Sequence, residues 1–186
     1  MLNLICMNTP EIPISACRHY THRCLSFSET VCLHPLPGIM TAHMLSLMIR
    51  VVIDTNVFVA AMRSEGGASR AVLKNALTGH YVPLFGNALW LEYEAMLGRP
   101  IWTNETSDEE RRTVMAALAR QGRWVSIYYG WRPNLPDEGD NHLVELALAG
   151  NANAIVTHNI SDLKGGELAW PDLHILKPSE CLEAFK

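Results

Sequence analysis

Four acidic residues stand out by type and spacing: Asp54, Glu92, Asp140 and Asp162. Each follows a different short apolar segment, and two like unit charges 4 Å apart cost about 4 kcal/mol at an effective dielectric near 20. Carboxylates brought into one pocket must therefore be partly protonated or share a cation. A hard divalent ion with oxygen ligands, Mg²⁺ or Mn²⁺, suits such a set better than zinc, because no cysteine and few histidines are nearby in sequence. An ion held this way keeps waters and can activate one to attack a phosphodiester. Each acid also has an ordinary structural reading. Asp140 could be a helix N-cap, Asp162 a turn residue and Glu92 a solvated helix position. Asp54 is the hardest to explain away, since the end of a buried strand is a costly place for a carboxylate.

The elements that must position these residues alternate strand and helix. Val51-Val52-Ile53 reads as a short parallel strand buried on both faces. A helix is predicted over residues 68–78, stopped by Gly79. A second strand follows over 82–85 despite Pro83, then a helix over 87–97 ended by Gly98 and Pro100. Ser107-Asp108-Glu109-Glu110 forms a capping box that opens a helix running to Gly122. A third strand is predicted over 124–129, a turn-rich loop over 130–139 and a helix over 140–149. Residues 154–157 and 173–176 supply the last strands, and Pro178 suits the first turn of a closing helix. This order implies an α/β fold, a parallel central sheet with helices on both faces. Ligands of such sheets bind outside the carboxyl ends of the strands, where all four acids would lie.

Composition bounds the function. The chain has 186 residues, 48% hydrophobic and 18% charged, with a mean hydropathy of +0.05. That suits one globular domain, with or without an appendage, and is too apolar for a disordered chain. Fifteen basic against nineteen acidic residues give a net charge of -4, which excludes an all-over basic nucleic-acid coat but not a local patch. No apolar run approaches the roughly 18 residues of a membrane span. Residues 1–47 differ from the rest: they hold Cys6, Cys17, Cys24 and Cys32, four of the eight histidines, and no readable periodicity. They read as a poorly ordered leader, with Met48 as the expected true start and residues 48–186 as the folded domain. A secretory signal is not supported, since the first basic residue is Arg18. Cys17, His19, His22 and Cys24 lack the spacing of a structural zinc site. Unpaired thiols without an export signal point to a reducing cytoplasm.

Taken together, Val52-Ile53-Asp54-Thr55-Asn56-Val57, Leu91-Glu92-Tyr93-Glu94, Asp137-Glu138-Gly139-Asp140 and Ala154-Ile155-Val156-Thr157-His158-Asn159 through Asp162-Leu163 resemble the successive motifs of PIN domains. The resemblance covers about residues 49–183 and is closest to bacterial toxin components of toxin–antitoxin pairs, relatives of the VapC ribonucleases. It implies a three-layer α/β/α PIN-like fold with Asp54, Glu92, Asp140 and Asp162 as catalytic metal ligands. It further implies that Asn56 braces Asp54 by hydrogen bonding, and that Thr157 and Asn159 line the site. Many relatives carry an acid where this chain has Asn159, so Asp162 would complete the site directly or through water. Asp137 and Glu138 are extra acids in the loop, whereas Glu94 reads as a solvated helix residue.

Rival chemistries are poorer. No phosphate-cradling glycine motif follows a strand, Asn56 stands where a phosphatase would want a second Asp, and Ser161 has no readable triad. His142 and His158 read as surface or capping residues more readily than as bases. For substrate, Trp131 and Arg132 could contact single-stranded nucleic acid by stacking and phosphate pairing. Arg111 and Arg112, beside Glu109 and Glu110, read equally well as solvated helix positions. The expectation is a cytoplasmic, Mg²⁺- or Mn²⁺-dependent ribonuclease, with RNA as substrate and no membrane contact. The resemblance adds a small antitoxin protein and a homodimer as partners. Alternatives are a PIN-fold nucleic-acid-binding or scaffold protein without turnover, and a DNA-directed nuclease.

Overall fold

The computed structural model describes residues 48–102, 106–130, 135–166, 168 and 170–186. The leader over 1–47, and with it the proposed start at Met48, therefore falls outside or at the edge of the described residues, as do Trp131 and Arg132. Among the described residues five parallel strands form the sheet: β1 (Ile49–Ile53), β2 (Tyr81–Phe85), β3 (Arg123–Trp124), β4 (Ala154–Val156) and β5 (His174–Leu176). Their order is β3-β2-β1-β4-β5, so the chain runs outward in one direction from β1 and then returns to build the other side from β4. The reversal lies between β1 and β4, the place where open α/β sheets leave a crevice.

Seven α-helices among the described residues cover the sheet: α1 (Thr55–Arg63), α2 (Ala68–Leu77), α3 (Asn87–Leu97), α4 (Asp108–Gln121), α5 (Asn141–Gly150), α6 (Ile160–Lys164) and α7 (Pro178–Ala184). A 3₁₀ turn over Glu138–Asp140 leads into α5. This is the expected parallel sheet with helices on both faces, a three-layer α/β/α arrangement. The core sits on the central strands: Val51, Val52, Ala154, Ile155 and Val156 are fully buried, as an apolar run in a doubly covered sheet must be. None of the described helices is long and apolar enough to cross a membrane.

The capping box is formed: Ser107 Oγ accepts from Glu110 N–H, and the Glu110 carboxylate accepts from Ser107 N–H. Pro83 sits inside β2, which has neighbours on both sides. It is tolerated because β3 pairs only with Leu84 and Phe85, after the position where a Pro83 N–H would be missed.

Three expectations need correction. The sequence showed no element over residues 55–63, yet α1 occupies them. Thr55, Val57 and Val59 are β-branched and alternate as in a strand, and the outer stripe of the helix is only Asn56, Ala60 and Arg63, so few polar residues mark its period. The third strand was expected over 124–129 and is two residues long. Val125 N–H still donates to Phe85 O, but β2 ends there and nothing remains to pair with. Arg111 is not solvated: it is 7% exposed, with its guanidinium 4.7 Å from the centroid of the Trp102 ring. Arg112 does stay at the surface, paired with Asp108 at 2.7 Å.

Candidate metal centre

The centre begins where β1 stops. In the β1–β4 register Ile53 pairs with Val156, so the next residues, Asp54 and Thr157, leave the sheet side by side. Asp54 N–H donates to Val156 O at 3.0 Å and holds that exit in place. Asp54 is also the N-cap of α1, and its Oδ1 accepts from Asn56 N–H at 3.2 Å. Its Oδ2 accepts from Asn56 Nδ2 at 2.8 Å and from the Thr157 hydroxyl at 2.6 Å. Thr157 in turn accepts from Asn56 Nδ2 and from Asn159 N–H, and Asn56 Oδ1 accepts from His158 N–H. Asn56 thus ties both strand ends together, with Asp54 fixed among three donors.

Glu92 arrives on α3. Leu89, Tyr93 and Leu97 form the buried stripe of that helix at the four-residue spacing a helix requires. Glu92 precedes Tyr93 and therefore sits at the edge of the stripe, 45% exposed along its side chain, turned toward α1 and α5. Its Oε2 accepts from Thr55 Oγ1 at 2.9 Å, and its Oε1 lies 3.4 Å from His142 Nε2. Tyr93 anchors the helix: it stacks on Phe58 at 4.4 Å, and its hydroxyl donates to Ile53 O at 2.7 Å. Burial, then the charges of Asp54 and Glu92, push the Tyr93 phenol well above its ordinary range, so it stays a neutral donor.

Asp140 is not the side-chain cap it could have been. It precedes α5 with helical backbone angles and makes no capping hydrogen bond. The loop before it is set by Asn141, whose Oδ1 accepts from Leu135 N–H, and by Asp137, whose Oδ1 accepts from Gly139 N–H. Burial raises the pKa of Asp140, and the charges of Asp54, Asp137 and Asp162 raise it further against a smaller opposing effect of His142. Carboxylates from three chain segments, the end of β1, the Asp137–Asp140 loop and the start of α6, therefore act on one another at the switch point. Asp162 lies in the first turn of α6 and accepts from Ser161 Oγ at 3.1 Å. A first-turn acid is also favoured by the helix dipole, so its place has a plain structural reason too.

Glu94 lies away from this set and accepts from Trp90 Nε1 at 2.9 Å on an exposed face. Asn159 is exposed and contributes its backbone N–H. His158 Nε2 shares a 2.9 Å hydrogen bond with Ser69 Oγ. The sequence reading missed Thr55 and Tyr93, although each is the neighbour of an acid it singled out. It also dismissed His142, two residues after Asp140 on an apolar helix, where a polar side chain must point at something.

A solved structure with a similar chain path is the crystal structure of VapBC2 from Rickettsia felis bound to a DNA fragment from their promoter. It is 13% identical, with 69% of this chain and 98% of that chain covered and a TM-score of 0.48. No curated protein is significantly similar in sequence. The PIN-domain profile, however, matches residues 50–161, more than half of the chain. That span takes in Asp54, Glu92 and Asp140 and ends one residue short of Asp162: this chain belongs to the PIN-domain family.

Proposed function

We propose that this chain is a divalent-metal-dependent endoribonuclease, the toxin component of a toxin–antitoxin pair. The observation that supports the nuclease reading is the meeting of acids at the switch point, where the pKa of Asp140 is raised first by burial and then by the charges of Asp54, Asp137 and Asp162. A PIN domain implies Mg²⁺ or Mn²⁺, and the donors fit such an ion: hard oxygens, mutually repelling, with no thiolate among them. Among the described residues no three His, Cys, Asp or Glu side chains stand close enough to enclose an ion. A hydrated Mg²⁺ does not need that, since it is held through one or two carboxylates and keeps several waters. Asp54, Glu92 and Asp140 would hold the ion, with Asp162 completing the site directly or through water.

A bound ion would supply neutralisation of phosphodiester charge and activation of a water for in-line attack, and the products the family resemblance implies are a 5′-phosphate and a 3′-hydroxyl. The protein supplies the orientation. Asn56 and Thr157 fix the plane of the Asp54 carboxylate, and Thr55 fixes that of Glu92. Trp131 and Arg132 are proposed from sequence alone to stack on and pair with single-stranded RNA. The toxin role rests on the motif set's likeness to bacterial toxin PIN proteins, and carries with it a small antitoxin that covers the acids and a homodimer.

Incubation of the purified chain with RNA and with single-stranded DNA, with and without Mg²⁺ or Mn²⁺, tests the chemistry. Metal-dependent RNA cleavage is expected. Cleavage of DNA alone makes it a DNA nuclease, and RNA binding without cleavage makes it a binding protein. Growth arrest on expression alone, relieved by the product of a neighbouring short reading frame, tests the toxin role.

A further inference from the structure

One buried nitrogen at this centre has no hydrogen-bond partner. His142 lies in the first turn of α5 with its side chain only 6% exposed. Its Nδ1 is 2.7 Å from the Gly139 carbonyl. A carbonyl can only accept, so Nδ1 carries the hydrogen, and in the neutral ring Nε2 is a bare lone pair. That Nε2 is buried without a hydrogen-bond partner, and it faces Glu92 Oε1, another acceptor, at 3.4 Å. Thr55 holds the other Glu92 oxygen, so the carboxylate cannot easily turn away.

Two acceptors set side by side across this gap, with the oxygen off the axis of the ring nitrogen, are what a shared cation requires. Nitrogen and oxygen ligands each about 2.1 Å from one ion stand roughly 3.0 Å apart at a right angle and roughly 3.4 Å apart at the tetrahedral angle. The hydrogen bond from Nδ1 to a backbone carbonyl is also how metal-binding histidines are oriented.

We propose that His142 is a ligand of the metal centre, its Nε2 and Glu92 Oε1 binding the same ion. The donor set is then mixed nitrogen and oxygen, and the ion it prefers is a transition metal such as Mn²⁺ rather than Mg²⁺, which takes oxygen donors. The inference rests on the metal-dependent reading given above. It changes which residues hold the ion and which ion they select.

The test is pulsed EPR of the full chain loaded with Mn²⁺, read for the ¹⁴N coupling of a directly bound imidazole. Affinities for Mn²⁺ and Mg²⁺ are measured alongside. The wild-type protein and His158→Gln are expected to show the coupling and His142→Gln to lose it, with the preference for Mn²⁺ over Mg²⁺ falling at least about tenfold. Labelling the wild-type chain with ¹⁵N-histidine must change the same modulation, which keeps the test decisive if the His142 variant does not fold. Mn²⁺ bound without nitrogen coupling, or coupling that survives in His142→Gln, overturns the proposal and leaves the carboxylate site standing. Failure of the wild-type chain to bind either ion overturns the metal-dependent reading as well.

Discussion

Replacing Asp140 by Asn separates the cost of the acidic cluster from its use. The Asp140 side chain makes no capping hydrogen bond, so the substitution removes charge without removing a visible contact. Burial and the charges of Asp54, Asp137 and Asp162 raise its pKa in the folded chain. The unfolded chain keeps the ordinary carboxyl value near 3.9. The stability this group contributes is therefore fully present below the ordinary range and is lost as pH rises through the raised value. At neutral pH the wild type carries the whole loss, and the Asn variant carries none. Partly exposed charge pairs are worth about 0.2–1 kcal/mol each after solvent screening. Three such neighbours amount to about 0.6–3 kcal/mol, or a rise of about 1–12 °C in Tm for a domain of this size. Melting curves in EDTA at low salt should show no difference near pH 3–4 and a stabilised variant at pH 7. Mg²⁺ or Mn²⁺ should then raise the wild-type Tm by more than that of the variant, because the ion binds the folded state with fewer ligands in the latter. An Asn variant that melts lower than wild type at pH 7 without metal would refute the reasoning, since Asp140 would then support the fold.

Asp54→Asn should lower RNA cleavage at least about a hundredfold in a gel assay. Its metal-free Tm should move little, because relief of repulsion is offset by the weakened acceptor facing Asn56 and Thr157. Thr157→Val removes a buried hydroxyl that donates to Asp54 and strands Asn159 N–H, so chemical denaturation should show a loss of about 1–3 kcal/mol together with reduced cleavage. Gly122→Ala should cost about 1–3 kcal/mol by the same assay with the metal response kept, because the new Cβ would stand 2.4 Å from the Phe85 ring and 2.8 Å from Pro83 O.

The features legible in the sequence are those set by nearby residues. Val51 to Ile53 and Ala154 to Val156 read as buried strands because their burial on both faces removes polar residues from the text itself. Ser107 and Glu110 read as a helix start because the two bonds they make are local. Gly122 read as a stop, and it abuts the Phe85 ring so closely that a side chain has no room. What stayed hidden depends on distant partners. The length of β3 is decided by where β2 ends, and α1 is hard to read because most of it is buried and its outer stripe, Asn56, Ala60 and Arg63, holds only two polar residues. His142 looked like an ordinary helix histidine because its significance lies in Glu92, fifty positions earlier in the chain. Arg111 looked solvated because Trp102, the ring it covers, precedes the helix.

The geometry also explains how a fold tolerates its own acidic centre. Asp54 is tied to β1 and β4 by Asn56 and Thr157, both neutral, and Glu92 is tied to α1 by the hydroxyl of Thr55. Tyr93 fastens the helix carrying Glu92 to the last carbonyl of β1, and burial raises its pKa, which keeps that tether a neutral donor. None of these tethers is a cation that would cancel the charge it positions. An arginine or lysine in place of Asn56 or Thr157 would lower the repulsion and occupy the ground that a divalent ion needs. Neutral donors hold the carboxylates in register while leaving their negative charge uncompensated, and that is the condition under which an added ion binds strongly.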